Sequence, residues 1–243
     1  MITDPTRLFE ALDATWPAAE TSEDLAPGWR LRRGAGGGKR VSCATALVSG
    51  ATPDIVPAEA AMREWGQVPL FMVRPGEDRL DDLLAARGYD IIDRTVIYAA
   101  DAGPLADAPL KKGVRAVTVR TRLALLHEIW AEGGIGPERV AVMERCAGPK
   151  ATIMARTDAA TAGVAHVAVD GDVAMLHAAE VRREARRFGA GTALLAGAAR
   201  FALDNGAGTL ALAVTEANAG ARALYERAGM TVAAQYRYRI AQG

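Results

Sequence analysis

The sequence predicts an α/β protein built in two halves. Three observations carry that expectation. Strand-like and helix-like stretches alternate along the 243 residues, and half of the residues are hydrophobic, with 24% charged, the balance of a chain that buries a core. The stretch from Asp101 to Gly113 is rich in Pro and Gly and has no periodicity, which reads as a linker. A strand–helix–glycine–strand unit also recurs: a shift of 141 residues places Val73 on Val214, Leu83 on Leu224, Gly88 on Gly229 and Tyr89 on Met230. The expected domains are residues 1–105 and 112–243.

In the first half, Asp4 followed by Pro5 is a helix start, because the carboxylate caps free amides and Pro suits the first helical position. Trp29 to Arg33 and Val41 to Val48 read as strands joined by a flexible glycine loop, Gly34 to Lys39. That loop is not a phosphate loop: Arg33 stands where a glycine is needed, and Arg40 replaces the Ser or Thr that would hold magnesium. A short helix follows Pro57, then a strand (Val68 to Val73), a helix (Asp78 to Arg87) and a strand (Asp90 to Tyr98).

The second half opens with a strand, Val114 to Arg120, and a helical stretch from Arg122 to Trp130. Gly133, Gly134 and Gly136 then break the pattern before more helix to Cys146. Three strands follow (Ala151 to Arg156, Gly163 to Val169 and Val173 to Val181), the last two joined by the hairpin signal Asp170-Gly171-Asp172. A helix from Gly191 to Asn205 carries Leu194, Ala198, Phe201 and Ala202 on one face. Thr209 to Val214 is a strand, Asn218 to Ala228 a helix stopped at Gly229, and Thr231 to Ile240 the last strand.

Composition narrows the function. No apolar run approaches the roughly 20 residues of a membrane span, and the N-terminus lacks the basic start and apolar core of a signal peptide. Two cysteines are too few for a disulfide framework, so a reducing cytoplasm is expected. Three histidines and no Cys/His cluster argue against a metal site. The net charge of zero removes the simplest case for nucleic acid. It conceals an asymmetry: residues 1–110 hold 11 basic and 17 acidic residues, whereas 111–243 hold 18 and 12. The basic second half suits an anionic ligand.

The stretch Glu180 to Leu195 supplies the place for one. It leaves a strand and opens a helix, where free amides and the positive end of the helix dipole attract anions. Gly189 and Gly191 let an anion approach the backbone, and Arg182, Arg183, Arg186 and Arg187 add charge. The pattern is R-x-x-G-x-G. Downstream, Val214 to Met230 has the form V-x-x-x-N-x-x-A-x-x-L-Y-x-x-x-G-hydrophobic. In that order and spacing the two motifs resemble the GNAT superfamily of acyl-CoA-dependent N-acyltransferases, specifically over residues 160–240 and more loosely over 113–160. The whole chain resembles a tandem GNAT protein with a degenerate first copy. The resemblance implies two GNAT-like halves, each a mixed, mostly antiparallel twisted sheet flanked by helices.

It also implies roles. The backbone of Arg187, Phe188, Gly189, Ala190, Gly191 and Thr192, with Arg186, would hold the pyrophosphate of acetyl-CoA. The main chain of Ala179 to Val181 would pair with the pantetheine arm as an added strand. Asn218 matches the asparagine that contacts this arm or fixes the strands around it. Tyr225 matches the tyrosine that protonates the departing thiolate, and a phenol with a reference pKa near 10 is protonated at neutral pH. Only a neutral amine attacks a thioester, so a base is needed. His177 and Glu180 are the candidates, His177 because arylalkylamine N-acetyltransferases carry a histidine in the matching place. Strand alternation sets the two on opposite faces unless a bulge intervenes.

The first copy has Glu77 and Leu84 where the second has Asn218 and Tyr225, and no R-x-x-G-x-G loop. Its expected jobs are to complete the acceptor cleft, complete a sheet, or pair with a second chain, and a homodimer is compatible with exposed strand edges. Trp130, Glu128, Glu132 and Glu138 are candidates to receive a cationic amine, or else belong to a solvated helix face. The expected function is transfer of an acetyl group from acetyl-CoA to a primary amine by direct attack in a ternary complex. A non-catalytic acyl-CoA-binding or sensing module is the alternative. The acceptor is left open.

Overall fold

The computed structural model of the protein describes residues 4–121 and 123–242. Arg122, expected to begin a helix, lies outside the described residues, as do residues 1–3 of the N-terminal reading. Asp4 caps the first helix, α1 (Pro5–Thr15), its Oδ1 accepting from the Thr6 amide at 3.1 Å. Then come β1 (Glu20–Ser22), β2 (Trp29–Arg33), β3 (Thr45–Ala46), α2 (Val56–Glu64), β4 (Leu70–Val73), α3 (Asp78–Ala86), β5 (Asp90–Asp101) and α4 (Ala102–Ala106). The remainder is β6 (Arg115–Val119), α5 (Ala124–Glu132), α6 (Pro137–Arg145), β7 (Lys150–Arg156), β8 (Thr161–Asp170), β9 (Val173–Val181), α7 (Ala190–Asp204), β10 (Thr209–Thr215), α8 (Ala219–Arg227) and β11 (Thr231–Ile240).

Two compact units result, and they do not follow the division expected at residues 105–112. One comprises residues 4–16, 97–214 and 218–233; the other comprises 17–96, 215–217 and 234–242. The reason is packing. In the first unit α1 buries Leu8, Ala11, Leu12 and Thr15, spaced for one helix face, and lies over β8 and β9. The end of β5 lies beside β10 in that unit, while in the second the end of β11 pairs antiparallel with β4, Ile240 opposite Leu70 and Arg237 opposite Val73. Each half of the chain therefore lends its last strand to the unit built mainly from the other half.

The first unit orders its strands β5-β10-β9-β8-β7-β6, antiparallel from β6 through β9 and parallel between β9 and β10. The parallel pair requires a crossover, which α7 supplies. This helix buries mainly alanines and packs on β6 to β9. At Gly197 a Cβ would stand 2.6 Å from Ile153 Cγ2 and 2.8 Å from Ala116 Cβ, so glycine sets how closely helix and sheet approach. The first part of the stretch expected as a linker instead folds as α4, burying Ala102 and Leu105 and packing on α7.

The second unit holds the small antiparallel sheet β1-β2-β3, with β4, α2 and α3. Its core includes Trp29, Leu31, Met62, Phe71, Leu80 and Leu84. The expected strand Val41 to Val48 shrinks to Thr45–Ala46, because a 3-10 turn at Lys39–Val41 is closed by Ser42, whose Oγ bonds Gly38 O at 3.0 Å.

The recurrence at a shift of 141 residues extends to the backbone. At the end of α3, Arg87 N bonds Leu83 O, Gly88 N bonds Ala85 O and Tyr89 N bonds Leu84 O; at the end of α8, Ala228 N bonds Leu224 O, Gly229 N bonds Glu226 O and Met230 N bonds Tyr225 O. Gly88 and Gly229 both have positive φ, +79° and +85°, the left-handed exit that glycine permits.

In the second unit Asp81 of α3 receives Arg239 Nε at 2.8 Å and Arg237 Nε at 3.0 Å. Burial alone would raise this carboxyl, but the hydrogen bonds and charge of Arg239 and Arg237 outweigh it and hold the carboxyl well below the usual carboxylate range. A depressed acid stabilises the fold above its unfolded pKa of about 3.9 and loses that contribution as pH falls through the folded value. We expect Asp81→Asn to cost about 2–3 kcal/mol at pH 7, measured by urea unfolding, with the deficit shrinking below pH ~4. A deficit unchanged at pH 2 contradicts this account.

Candidate active site

The site begins where two strands part. Parallel pairing of β9 with β10 runs from Val173 opposite Thr209 to Leu176 opposite Leu212 and stops there. Both strands continue, β9 to Val181 and β10 to Thr215, so their facing edges separate and leave backbone groups of β9 without a strand partner on that side. Beside the free end of β9, and lined also by the entry to α7 and by α8, lies a cleft of about 1010 Å³. Leu176, Ala179, Glu180 and Val181 form its floor.

A bulge shapes this floor. Val164 pairs with Glu180 and His166 with His177, so two steps along β8 match three along β9. Ala178 takes up the surplus with φ +49°, a left-handed conformation that costs an alanine roughly 1 kcal/mol. Trp130 of α5 is fully buried, and its Nε1 donates to Ala178 O at 2.9 Å. Because Val164 and His166 are two residues apart, their partners Glu180 and His177 share a face, where unbroken alternation would oppose them.

One end of the cleft is the entry to α7. Arg187 has φ +71° and Gly189 φ +94°. Gly189 is the N-cap, no side chain caps the first turn, and that turn holds no acidic residue, so the amides and the positive helix end face outward without competition. Lys111 reaches this loop, its Nζ donating to Arg187 O at 3.1 Å, and its stem would lie 3.3 Å from a Cβ at Gly189. Gly191 has a different reason: a Cβ there would come 2.6 Å from Leu224 Cδ2, so it admits α8 beside α7.

The facing wall is α8. Asn218 caps it, Oδ1 accepting from the Ala221 amide at 3.1 Å. Two turns on, Tyr225 lines the cleft at 8% exposure. Burial pushes its phenol up to about 12. Its ring packs on Tyr98 of β5 at 5.8 Å between centroids. Tyr98 Oη donates to Glu226 Oε1 at 2.6 Å, which fixes the β5 ring to the neighbour of Tyr225.

The family description "Acetyltransferase (GNAT) family" matches residues 124–230, the span that includes the strand parting, the α7 entry and Tyr225. Residues 124–230 therefore match a GNAT acetyltransferase domain. Among solved structures, a GCN5-related N-acetyltransferase from Kribbella flavida is 19% identical, with 98% of this chain and 95% of that one covered at a TM-score of 0.73. A functionally unknown conserved protein from Staphylococcus epidermidis ATCC 12228 is 11% identical, with coverage of 94% and 95% at 0.70. A tandem GNAT protein from the clavulanic acid biosynthesis pathway is 19% identical, with coverage of 88% and 77% at 0.59. At these identities the likeness establishes the fold. No curated protein matches the chain.

On this GNAT frame the cleft brings together Ala179, Glu180, Val181, Arg186, Arg187, Gly189, Ala190, Gly191, Thr192, Asn218 and Tyr225. Phe188 is 61% exposed and is not part of the lining. His177 is placed elsewhere, which corrects the relay expected of it. It is buried, its Nε2 lies 2.9 Å from Thr15 Oγ1, and its ring packs on Trp16 at 4.8 Å. Thr15 spends its own proton on Ala11 O, so His177 Nε2 is the donor. Trp130 is equally removed from receiving an amine, being buried. Glu132 is tied to Arg182 at 2.8 Å, while Glu128 is exposed. Glu180 lies against Gly133, where a Cβ would stand 2.5 Å from its carboxylate, and pairs with Arg186 at 3.5 Å.

Sequence reasoning did not find Lys111 or Tyr98. Lys111 lay in the supposed linker, and Tyr98 in the copy that has lost the motif. The structure also supplies a check on Tyr225. An acid with a raised folded pKa destabilises the fold as pH climbs from its unfolded value, near 10, towards the folded one. Relative to Tyr225→Phe, the wild-type protein should lose roughly 1.4 kcal/mol per pH unit across that window, read from urea unfolding at pH 9.5 to 11.5. Parallel curves for the two proteins would place the phenol in solvent.

Proposed function

We propose that this chain transfers an acetyl group from acetyl-CoA to a primary amine, by direct attack within a ternary complex. The observation that carries the proposal is the cleft beside the end of β9 that has parted from β10, with an uncapped, acid-free helix entry at one end and the buried phenol of Tyr225 along its wall. The amides from Arg187 to Thr192, with Arg186 and Lys111 at the rim, hold the pyrophosphate. The β9 edge from Ala179 to Val181 takes the pantetheine arm as an added strand. Asn218 fixes the start of α8.

The amine nitrogen attacks the thioester carbonyl carbon, the carbon–sulfur bond breaks, and the coenzyme leaves as a thiolate. Tyr225 gives that sulfur its proton. Glu180 takes the proton that the amine loses, directly or through water. Orientation in the cleft and the amides beneath the carbonyl supply the remaining acceleration. The unit formed mainly by the first half has no such loop, and Glu77 and Leu84, where an asparagine and a tyrosine would stand, are both buried, Glu77 bound to Arg74. One site per chain follows. A reducing, cytoplasmic setting fits this coenzyme.

Calorimetric titration of acetyl-CoA should give one site per chain, weakened at least about tenfold by Gly189→Val, whose β-branched side chain cannot take φ +94°. With an amine panel as acceptors, Tyr225→Phe should lower kcat by about 10²-fold or more while affinity for acetyl-CoA stays within about threefold. Binding without transfer to any amine would leave an acyl-CoA-binding module. Absence of binding overturns the proposal.

A further inference from the structure

The conformation of the cleft floor depends on one side chain outside the cleft. Ala178 is a non-glycine residue at φ +49° in the bulge of β9. Its carbonyl oxygen is taken by Trp130 Nε1 at 2.9 Å, and the indole is fully buried. A trans peptide is planar, with its carbonyl and the following amide pointing in opposite directions. The oxygen of Ala178 being anchored on α5, the amide hydrogen of Ala179 is turned away from α5. Ala179 itself is exposed and lines the cleft.

We propose that Trp130 is a positioning residue: by holding the Ala178 carbonyl, its indole N–H aims the Ala179 amide at the carbonyl oxygen of the bound acyl thioester. The inference rests on the acetyl-transfer reading above, and it adds a residue that touches neither the coenzyme nor the acceptor. The indole is suited to the role because it has a donor and no acceptor, so the contact has one polarity. α5 keeps it in place by burying Leu126 and Ile129 beside it. Loss of the N–H frees the Ala178–Ala179 peptide to rotate out of a backbone region that alanine rarely adopts.

The test uses the full chain and acetyl-CoA labelled with ¹³C at the thioester carbonyl, so no acceptor need be known. The infrared band of the bound carbonyl is compared with that of the free coenzyme in wild type, in Trp130→Phe, and in a protein carrying a benzothienyl-alanine at position 130, which keeps the indole's shape and lacks its N–H. The expected result is a band moved to lower frequency in the wild type and returned towards the free value in both variants, with affinity for acetyl-CoA within about threefold. Once an acceptor is found, kcat should fall about tenfold or more, with KM for acetyl-CoA little changed. A wild-type shift that survives in the benzothienyl protein overturns the role of Trp130. Loss of binding in that protein also overturns it, by making the contact structural only. No binding to the wild type instead refutes the acetyl-transfer reading itself.

Discussion

The feature on which the site depends is the end of hydrogen bonding between β9 and β10 after four paired residues. A sheet has no reason to open in its interior, because unpaired backbone groups cost free energy once removed from water. Here the opening is sustained from both sides. On one, the bulge at Ala178 bends β9 and is pinned by Trp130; on the other, α8 begins at a capped Asn218 immediately beyond the end of β10. The end of β9 offers the cleft a main-chain edge beside the side chains of Arg186, Arg187, Asn218 and Tyr225. Recognition by a main-chain edge is indifferent to side-chain identity, and the residues on the floor are correspondingly plain: Leu176, Ala179 and Val181 accompany the single charged Glu180.

The two strand–helix–glycine–strand segments differ at Glu77 and Leu84 against Asn218 and Tyr225, and agree where the helix ends. Leu84 is fully buried in α3 and Tyr225 is nearly so in α8, yet both accept the same backbone bond from the residue five places on. Both segments have the same helix exit, including its left-handed glycine. In α8 burial penalises the ionised form of the tyrosine, and its ring packs on Tyr98.

Much of this was legible in the sequence because the decisive signals are local. The bounds of β9 and β11 followed from alternation and from the Asp170-Gly171-Asp172 turn, in which Gly171 has φ +53°. The entry to α7 followed from Gly189. Other features depend on segments far apart in the chain. Nothing near His177 announces that Thr15 and Trp16 will cover it, 162 residues away for the threonine. Lys111 and Tyr98 have no motif of their own, and they matter only because the fold sets one against Arg187 and the other against Tyr225. Gly191 was legible as a glycine but not for its reason, which is the approach of Leu224.

The exchange of strands has a consequence for how the chain is made. During synthesis α1 leaves the ribosome ahead of the strands its apolar face covers, β8 and β9, which follow some 150 residues later. Until then Leu8, Ala11 and Leu12 have no core to join. The other unit waits longer still, because the partner of β4 is the end of β11, and Ile240 must emerge before it can pair with Leu70. Neither unit can be finished until the segments beyond residue 217 have emerged. Long-range pairing of this kind slows folding and prolongs the exposure of apolar segments.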